Sequence, residues 1–335
     1  MDLIDELLIG EAPALRRVKE MIRRIAPSGV PVMIEGESGT GKELVAQALH
    51  VASGRAGPFV AFNVCAIAES MFEDVLFGHL KGAFTGAHGI VRGYLAEADR
   101  GTLFLDEIAG LPTQHQMKLL RAVETREFRS LGASRDERSD FRLVSASNES
   151  IARLVCTNSL RLDLAHRLNG VLLQLPALRE RKADIPRLTA YFVSAVQRAD
   201  GRHASAAPSG MRTLMAHSWP GNVRELRRIV EAAAILSYNG VVDATLVEQL
   251  ISGGRSKPAR STRASLRAKA QLVGALEAAG GQVAVAASLL GVSRATFYRH
   301  ARTHRVTIGE FRPPVAMDNR LPVRAHDGDL AAPGA

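Results

Sequence analysis

Residues 29–43 read GVPVMIEGESGTGKE, and the way this stretch is parsed decides the fold. The apolar run ending in glycine is a short buried strand. KELVAQALHVAS, Lys42–Ser53, then reads as a helix. A strand, a glycine-rich turn and a helix form the context in which a Gly-x4-Gly-Lys pattern holds phosphate. Glycine lets successive backbone N–H groups turn toward an anion with no Cβ in the way. The candidate phosphate-binding residues are therefore Gly36, Glu37, Ser38, Gly39, Thr40, Gly41, Lys42 and Glu43. Lys42 is expected to reach the β- and γ-phosphates of ATP. The usual Ser or Thr after that lysine is Glu43, which offers no hydroxyl to Mg2+.

The acid that would replace the hydroxyl lies in TLFLDE, Thr102–Glu107. An apolar strand ending in two acids places both carboxylates at the carboxyl edge of a parallel sheet, where ligands sit in open α/β folds. Asp106 is expected to hold Mg2+, and Glu107 to orient and deprotonate the attacking water. Further strands are read in PFVAFNV, DFRLVSASN and VLLQLPAL, with helices between them, including QHQMKLLRAVET. Continuous apolar strands alternating with helices indicate a parallel sheet covered on both faces. Residues 11–26 read as an amphipathic helix with Leu15, Val18, Met21, Ile22 and Ile25 on its apolar face.

Strands are expected to stop near Lys182, where DIPRLTAYFVSAVQRA, SGMRTLMAHSW and NVRELRRIVEAAAILS read as a small helical domain. GGRSKPARSTRAS is a basic linker, and a last helical unit follows it. The expected organisation is an α/β core over 1–175, a helical subdomain over 176–252, a linker over 253–264, an all-α unit over 265–306 and a disordered tail over 307–335.

Charge is unevenly spread. Gly254 to Arg312 holds eleven Lys or Arg and two acids, an excess equal to the whole chain's +9. A basic segment of this kind suits nucleic acid. Within it, GGQVAVAASLLGVSRATFYRHARTHRV reads as helix, turn, helix. Gly291 ends the first helix and Ser293 caps the second. Phe297 and Ala301 share the inward face. Arg294, Ala295, Thr296, Tyr298, Arg299 and Arg302 are the candidate DNA contacts, with Arg299 reading a base and Arg294, Arg302 and Arg305 meeting phosphates. A helical oligomerisation bundle is the alternative for this unit. No apolar run is long enough to span a membrane, and MDLIDELLIG lacks a basic leader, so a cytoplasmic location is expected. Cys65 and Cys156 are expected to be buried, reduced thiols.

HLKGAFTGAHG, residues 79–89, is a second glycine-rich segment with no apolar face of its own. It reads as a surface loop hinged by glycine, with Phe84 and Thr85 exposed as a partner contact.

Together these motifs resemble the AAA+ ATPases, and GAFTGA, Gly82–Ala87, resembles one branch of them, the bacterial enhancer-binding proteins that activate sigma-54 RNA polymerase. The C-terminal unit resembles the Fis-type DNA-binding domain. The resemblance implies that Gly82, Ala83, Phe84, Thr85, Gly86 and Ala87 contact sigma-54. It implies that Asn148 senses the γ-phosphate, that Asn63 pairs with Glu107 and switches it off, and that Arg224 contacts nucleotide from the lid. Arg161 and Arg167 would act as fingers in the neighbouring subunit's site of a ring, expected to be hexameric. Two places depart from the family pattern: Leu160, Ala165 and His166 around the fingers, and Leu80, where an acid is usual. The implied function is an ATP-driven activator that binds double-stranded DNA upstream of promoters and remodels the closed polymerase complex. A general AAA+ remodeller or helicase is the rival reading, and a DNA-binding repressor with an inactive ATPase is another. The ATPase core begins within ten residues of the start, so regulation is expected from a separate protein in trans, from expression, or not at all.

Overall fold

The computed structural model describes residues 3–201, 203–237, 240–254, 272–290, 292, 294–303 and 306. Contacts divide the chain into two compact units, Met1–Gly254 and Arg255–Ala335.

In the first unit, two N-terminal helices, α1 (Leu3–Leu7) and α2 (Pro13–Ile25), precede β1 (Val32–Glu35) and α3 (Lys42–Ser53). β2 (Phe59–Asn63) is followed by an insertion of α4 (Phe72–Phe77), the hairpin β3 (Gly78–His79) and β4 (Val91–Arg92), and α5 (Tyr94–Glu97). β5 (Thr102–Asp106) and α6 (Thr113–Thr125) lead to a second hairpin, β6 (Glu127–Phe128) and β7 (Glu137–Arg138). β8 (Arg142–Ser147), α7 (Ile151–Cys156), α8 (Leu162–Leu168) and β9 (Val171–Gln174) complete the core.

The five long strands form one sheet in the order β2-β5-β8-β1-β9, all parallel. Alternate residues of each strand enter opposite cores, as the two-residue period of a strand requires. Met33, Leu103, Leu105 and Leu143 face one core, while Val32, Ile34, Phe104, Val144 and Ala146 face the other. Register then fixes the functional edge. Asn63 lies opposite Asp106, and Glu35 opposite Ser147, so the loops after β1, β2, β5 and β8 leave the sheet side by side.

The helical subdomain comprises α9 (Ile185–Asp200), α10 (Pro208–Ala216), α11 (Asn222–Leu236) and α12 (Ala244–Gly254). It packs around Trp219, whose indole N–H donates to the Leu214 carbonyl at 2.9 Å.

Several expectations are corrected here. Met21 is 41% exposed, and Lys19 is buried in its place because its ammonium reaches Asp5 and the Gly10 carbonyl. Cys65 and Cys156 are free but exposed, since one sits in the turn beyond β2 and the other at the end of α7. Strands do not stop at Lys182: β10 (Ser205–Ala206) and β11 (Val241–Val242) pair within the helical subdomain. α12 runs through Gly254, two residues into the expected linker; its remainder and the expected tail lie outside the described residues.

In the second unit, α13 (272–278), α14 (Val283–Leu289) and α15 (Arg294–Thr303) enclose a small core. Leu276, Ala286, Ala287, Phe297 and Ala301 are buried in it. Gly291 and Ser293, read as the turn, lie outside the described residues.

Candidate functional site

The loop after β1 wraps the start of α3. Gly39 and Gly41 adopt φ of +77° and +105°, which only glycine takes without strain. Gly39 also has no room for a side chain, because a Cβ would lie 2.4 Å from the Gly221 carbonyl of the helical subdomain. The Lys42 ammonium is buried behind this loop and donates to the Gly36 carbonyl at 2.9 Å. Burial pulls its pKa down, and the nearby Glu107 and Asp106 carboxylates oppose that shift.

Lys42 also donates to the Asn148 side-chain oxygen, and Asn148 Nδ2 donates to both Glu107 oxygens, at 2.6 and 2.5 Å. One carboxamide thus bridges the lysine and the expected base. Glu107 stands at φ 55°, a left-handed backbone position at the turn out of β5. Its backbone N–H donates to Asp106 Oδ1 at 3.0 Å. Burial pushes the Asp106 carboxyl above the usual range, and the Glu107 charge adds to the shift. Such a carboxylate fits Mg2+, which binds through one or two carboxylates and the phosphates of its nucleotide rather than in a protein cage. No cluster of three or more His, Cys, Asp or Glu is arranged to hold a metal among the described residues.

Asn63, expected from the resemblance to pair with Glu107, makes another contact in this structure. Its side-chain oxygen accepts from the Cys65 N–H at 3.0 Å, capping the turn beyond β2. The contact with Glu107 is made by Asn148 instead. Arg161 and Arg167 are exposed on and beside α8. Arg161 forks onto Asp163 at 3.1 and 2.8 Å, and Arg167 donates to Glu124 at 2.9 Å. Neither lines the nucleotide cavity of its own chain.

Four residues of the helical subdomain and the segment leading to it close over the loop. Arg224 donates to the Ser38 hydroxyl at 3.0 Å. Sequence reasoning missed the other three. Arg179 forks onto Glu37 at 2.8 and 2.6 Å. With Asn222 it holds the Glu37 carboxyl down at about 2. Arg181 donates to the Thr40 carbonyl at 2.8 Å. Buried Asn222 reaches both Glu37 and the Ser38 carbonyl. The signal for the two arginines was present in LRERK, which follows β9 at the same sheet edge.

The result is a cavity of about 480 Å3. It is lined by the phosphate loop, Asp106, Glu107, Arg181, Arg224 and Arg227, and by apolar residues from three segments: Leu8 and Ile9, Leu188 and Phe192, and Val223. Charged groups for phosphates and apolar ones for a base suit a nucleoside triphosphate.

GAFTGA lies at the tip of the insertion between β2 and β5. Gly82 and Gly86 have φ of +81° and +101°, and the Gly82 N–H closes the loop on the Ala87 carbonyl at 2.9 Å. Phe84 is 46% exposed, Thr85 is exposed and Ala87 is buried. The segment after β6 runs alongside: Leu80 N–H donates to the Leu131 carbonyl at 3.0 Å, and Leu131 N–H to the Gly78 carbonyl at 2.8 Å.

On α15, Arg294 and Tyr298 are exposed one turn apart, and Thr296 is partly buried. Ala295, Arg299 and Arg302 belong to the same helix, but their side chains, and Arg305 altogether, lie outside the described residues.

Comparison with known proteins matches each part of this arrangement. Residues 8–174 match the Sigma-54 interaction domain, 179–264 the AAA+ ATPase lid domain, and 269–300 the Fis family of bacterial regulatory proteins. The chain is 40% identical over 299 residues to the transcriptional regulatory protein ZraR of Klebsiella oxytoca, covering 86% of this chain and 67% of that one. The chain belongs to the sigma-54-dependent transcriptional regulators. Within that family it is also 40% identical over 297 residues to the Nif-specific regulatory protein of Azotobacter vinelandii. That match covers 86% of this chain and 57% of the relative, so the chain spans little more than half the relative's length. The crystal structure of NtrX from Brucella abortus in complex with ADP superimposes with a TM-score of 0.67 at 34% identity, covering 89% of this chain and 69% of that one. The ATP complex of the same protein gives 0.66. The sigma-54 interaction domain, the lid and the Fis-type unit therefore follow one another in the order in which their motifs occur. No helix among the described residues is long and apolar enough to cross a membrane.

Proposed function

We propose that this chain hydrolyses ATP to drive sigma-54 RNA polymerase from its closed to its open promoter complex, while its C-terminal unit holds double-stranded DNA upstream. The observation that carries the reading is the placement of GAFTGA. The exposed Phe84–Thr85 tip belongs to an insertion that leaves β2 after Asn63 and re-enters the sheet as β5, the strand ending in Asp106 and Glu107. A change at the nucleotide edge is thus delivered through the two strands that carry the loop.

In the chemical step, Lys42 and the backbone N–H groups of residues 36–43 hold the phosphates. Asp106 would hold Mg2+, whose charge would offset that of the bound phosphates. Glu107 takes the proton of the attacking water. The Asn148 carboxamide donates to both Glu107 oxygens and accepts from Lys42, so a γ-phosphate that competes for Lys42 would loosen its hold on Glu107. Arg224 contacts the nucleotide from the lid. Arg161 and Arg167 point the reading toward a ring, in which each subunit's arginines complete its neighbour's site; fingers of this kind accelerate phosphoryl transfer about 10³–10⁵-fold. The ring is taken as a hexamer. On DNA, Arg299 reads a base edge while Arg294 and Arg302 meet phosphates.

Thr85→Ala tests the reading. It is expected to lose open-complex formation on a sigma-54 promoter far more than ATP turnover. Equal loss of the two would make the loop a structural part of the ATPase and overturn the assignment.

A further inference from the structure

We propose that His79 is a positioning residue: its imidazole is the perch on which Phe84 rests in this structure, and leaving that perch is part of presenting the loop. The inference rests on the proposed role of GAFTGA as the sigma-54 contact and adds the element that sets the loop's resting position.

Four observations converge on this residue. His79 sits in β3, three residues before Gly82, and is buried although it is polar. Its Nδ1 is hydrogen-bonded to Asp74 Oδ1 on α4, which fixes the ring plane. Phe84 packs against this ring, with centroids 5.0 Å apart and planes at 69°. This edge-to-face geometry is the one aromatic quadrupoles favour. Ala83, next to Phe84, is held from the other side: a Cβ on Gly132 would lie 2.9 Å from the Ala83 Cβ. Gly132 belongs to the segment between β6 and β7 that already grips Leu80 and Gly78 through the backbone.

Backbone bonds shape the tip, from the Gly82 N–H to the Ala87 carbonyl at 2.9 Å and from the Ala87 N–H to the Phe84 carbonyl at 3.0 Å, but its exposed residues leave it room to move. Gly82 and Gly86 flank it, Thr85 and Gly86 are exposed, and a Cβ at either glycine would meet nothing within 4 Å. The Phe84–His79 ring contact restrains the tip in addition to these backbone bonds and the close approach of Ala83 to Gly132. Leu80, where the family has an acid, supplies no charge to the latch, so the restraint in this chain is aromatic. A contact of this type biases a two-state equilibrium about 2- to 10-fold. That is enough to hold the loop at rest and weak enough to be overcome at each turnover.

The test needs no polymerase. Phe84→Trp places a fluorescent reporter on the perch; Trp219 is the sole native tryptophan and is fully buried, so it contributes a constant background. Acrylamide quenching of the introduced indole in the nucleotide-free protein is expected to rise on adding His79→Ala, by no more than about twofold because position 84 is already 46% exposed on the perch. It is expected to stay near the parent value with His79→Phe, which keeps an aromatic edge. Asp74→Ala, which frees the imidazole without removing it, is expected to fall between. Quenching that is the same in all four proteins overturns the perch, as does His79→Phe behaving like His79→Ala. Loss of sigma-54 contact by a protein with normal quenching behaviour would instead overturn the proposed function and leave the perch standing.

Discussion

Replacing Asn222 with alanine is expected to unseat the helical subdomain from the phosphate loop. Asn222 is fully buried and commits both polar atoms of its side chain across that junction. Its oxygen accepts from the Leu178 N–H at 2.8 Å, and its amide donates to Glu37 and to the Ser38 carbonyl, both at 3.1 Å. Alanine leaves the buried Leu178 N–H without this acceptor, which costs about 1–3 kcal/mol. The bond to the partly exposed Glu37 carboxylate adds about 1 kcal/mol after allowance for solvent. The backbone at φ +50° adds about 1 kcal/mol more, because alanine tolerates that region less well than asparagine. The sum is about 4 kcal/mol. For a unit of this size each kcal/mol lowers Tm by about 2–4 °C, so a fall of about 12 °C is expected. On the proposed function ATP binds the seated form, so its Kd is expected to rise with the loss; a tenfold rise corresponds to only about 1.4 kcal/mol of the total. Calorimetry of the nucleotide-free protein reads the first effect, and titration with a fluorescent ATP analogue the second. Asn222→Gly should recover the backbone share alone. Asn222→Asp keeps the acceptor for Leu178 but faces Glu37 with like charge, and should do no better than alanine. If Asn222→Ala leaves both Tm and ATP affinity at parent values, the junction is held by something other than this side chain.

Asp106→Asn should raise the Tm of the nucleotide-free protein at neutral pH while weakening Mg2+-dependent ATP binding. Because the folded-state pKa of Asp106 lies above its ordinary value, the ionised form is disfavoured in the fold. That penalty is present above the raised pKa and disappears as pH falls through it, so the gain from asparagine should shrink on acidification. A lower Tm for the variant at neutral pH would refute the sign. Glu107→Gln should bind ATP and fail to turn it over, measured by nucleotide binding and phosphate release; normal turnover would remove Glu107 from its role. Arg161→Ala and Glu107→Gln proteins, each inactive alone, should regain phosphate release when mixed, since some sites then pair an intact base with an intact finger. No recovery in mixed rings would place Arg161 outside the shared site.

What was legible in the sequence was what repeats with a short period or carries a local geometric demand. The helix Lys42–Ser53 begins where the glycines end, and β5 stops at Asp106 because two charges follow four buried residues. Arg224 could be placed over the phosphate loop only through the family resemblance, and the contact with Ser38 is present. Asn222, two residues earlier, was passed over because a buried asparagine has no periodic signature and its partners are 44 and 185 residues away. The apolar part of the cavity lining was missed for a related reason. Leu8 and Ile9 come from the N-terminal segment and Leu188 and Phe192 from α9, so no stretch of sequence contains it. The exchange between Asn63 and Asn148 is different again: both reach the same sheet edge, and which one meets Glu107 is decided by the Cys65 N–H claiming Asn63. Met21 and Lys19 show a limit of pattern reading, because a specific pair of acceptors inverted the faces that hydropathy alone assigns.

The most direct measurement is permanganate footprinting of a sigma-54 promoter carrying the upstream site, with polymerase holoenzyme and this protein. Melted thymines are expected with ATP, and not with a non-hydrolysable analogue or with Thr85→Ala protein supplied with ATP. Equal melting with ATP and with the analogue would contradict hydrolysis-driven remodelling, as would melting by the Thr85→Ala protein at the parent level.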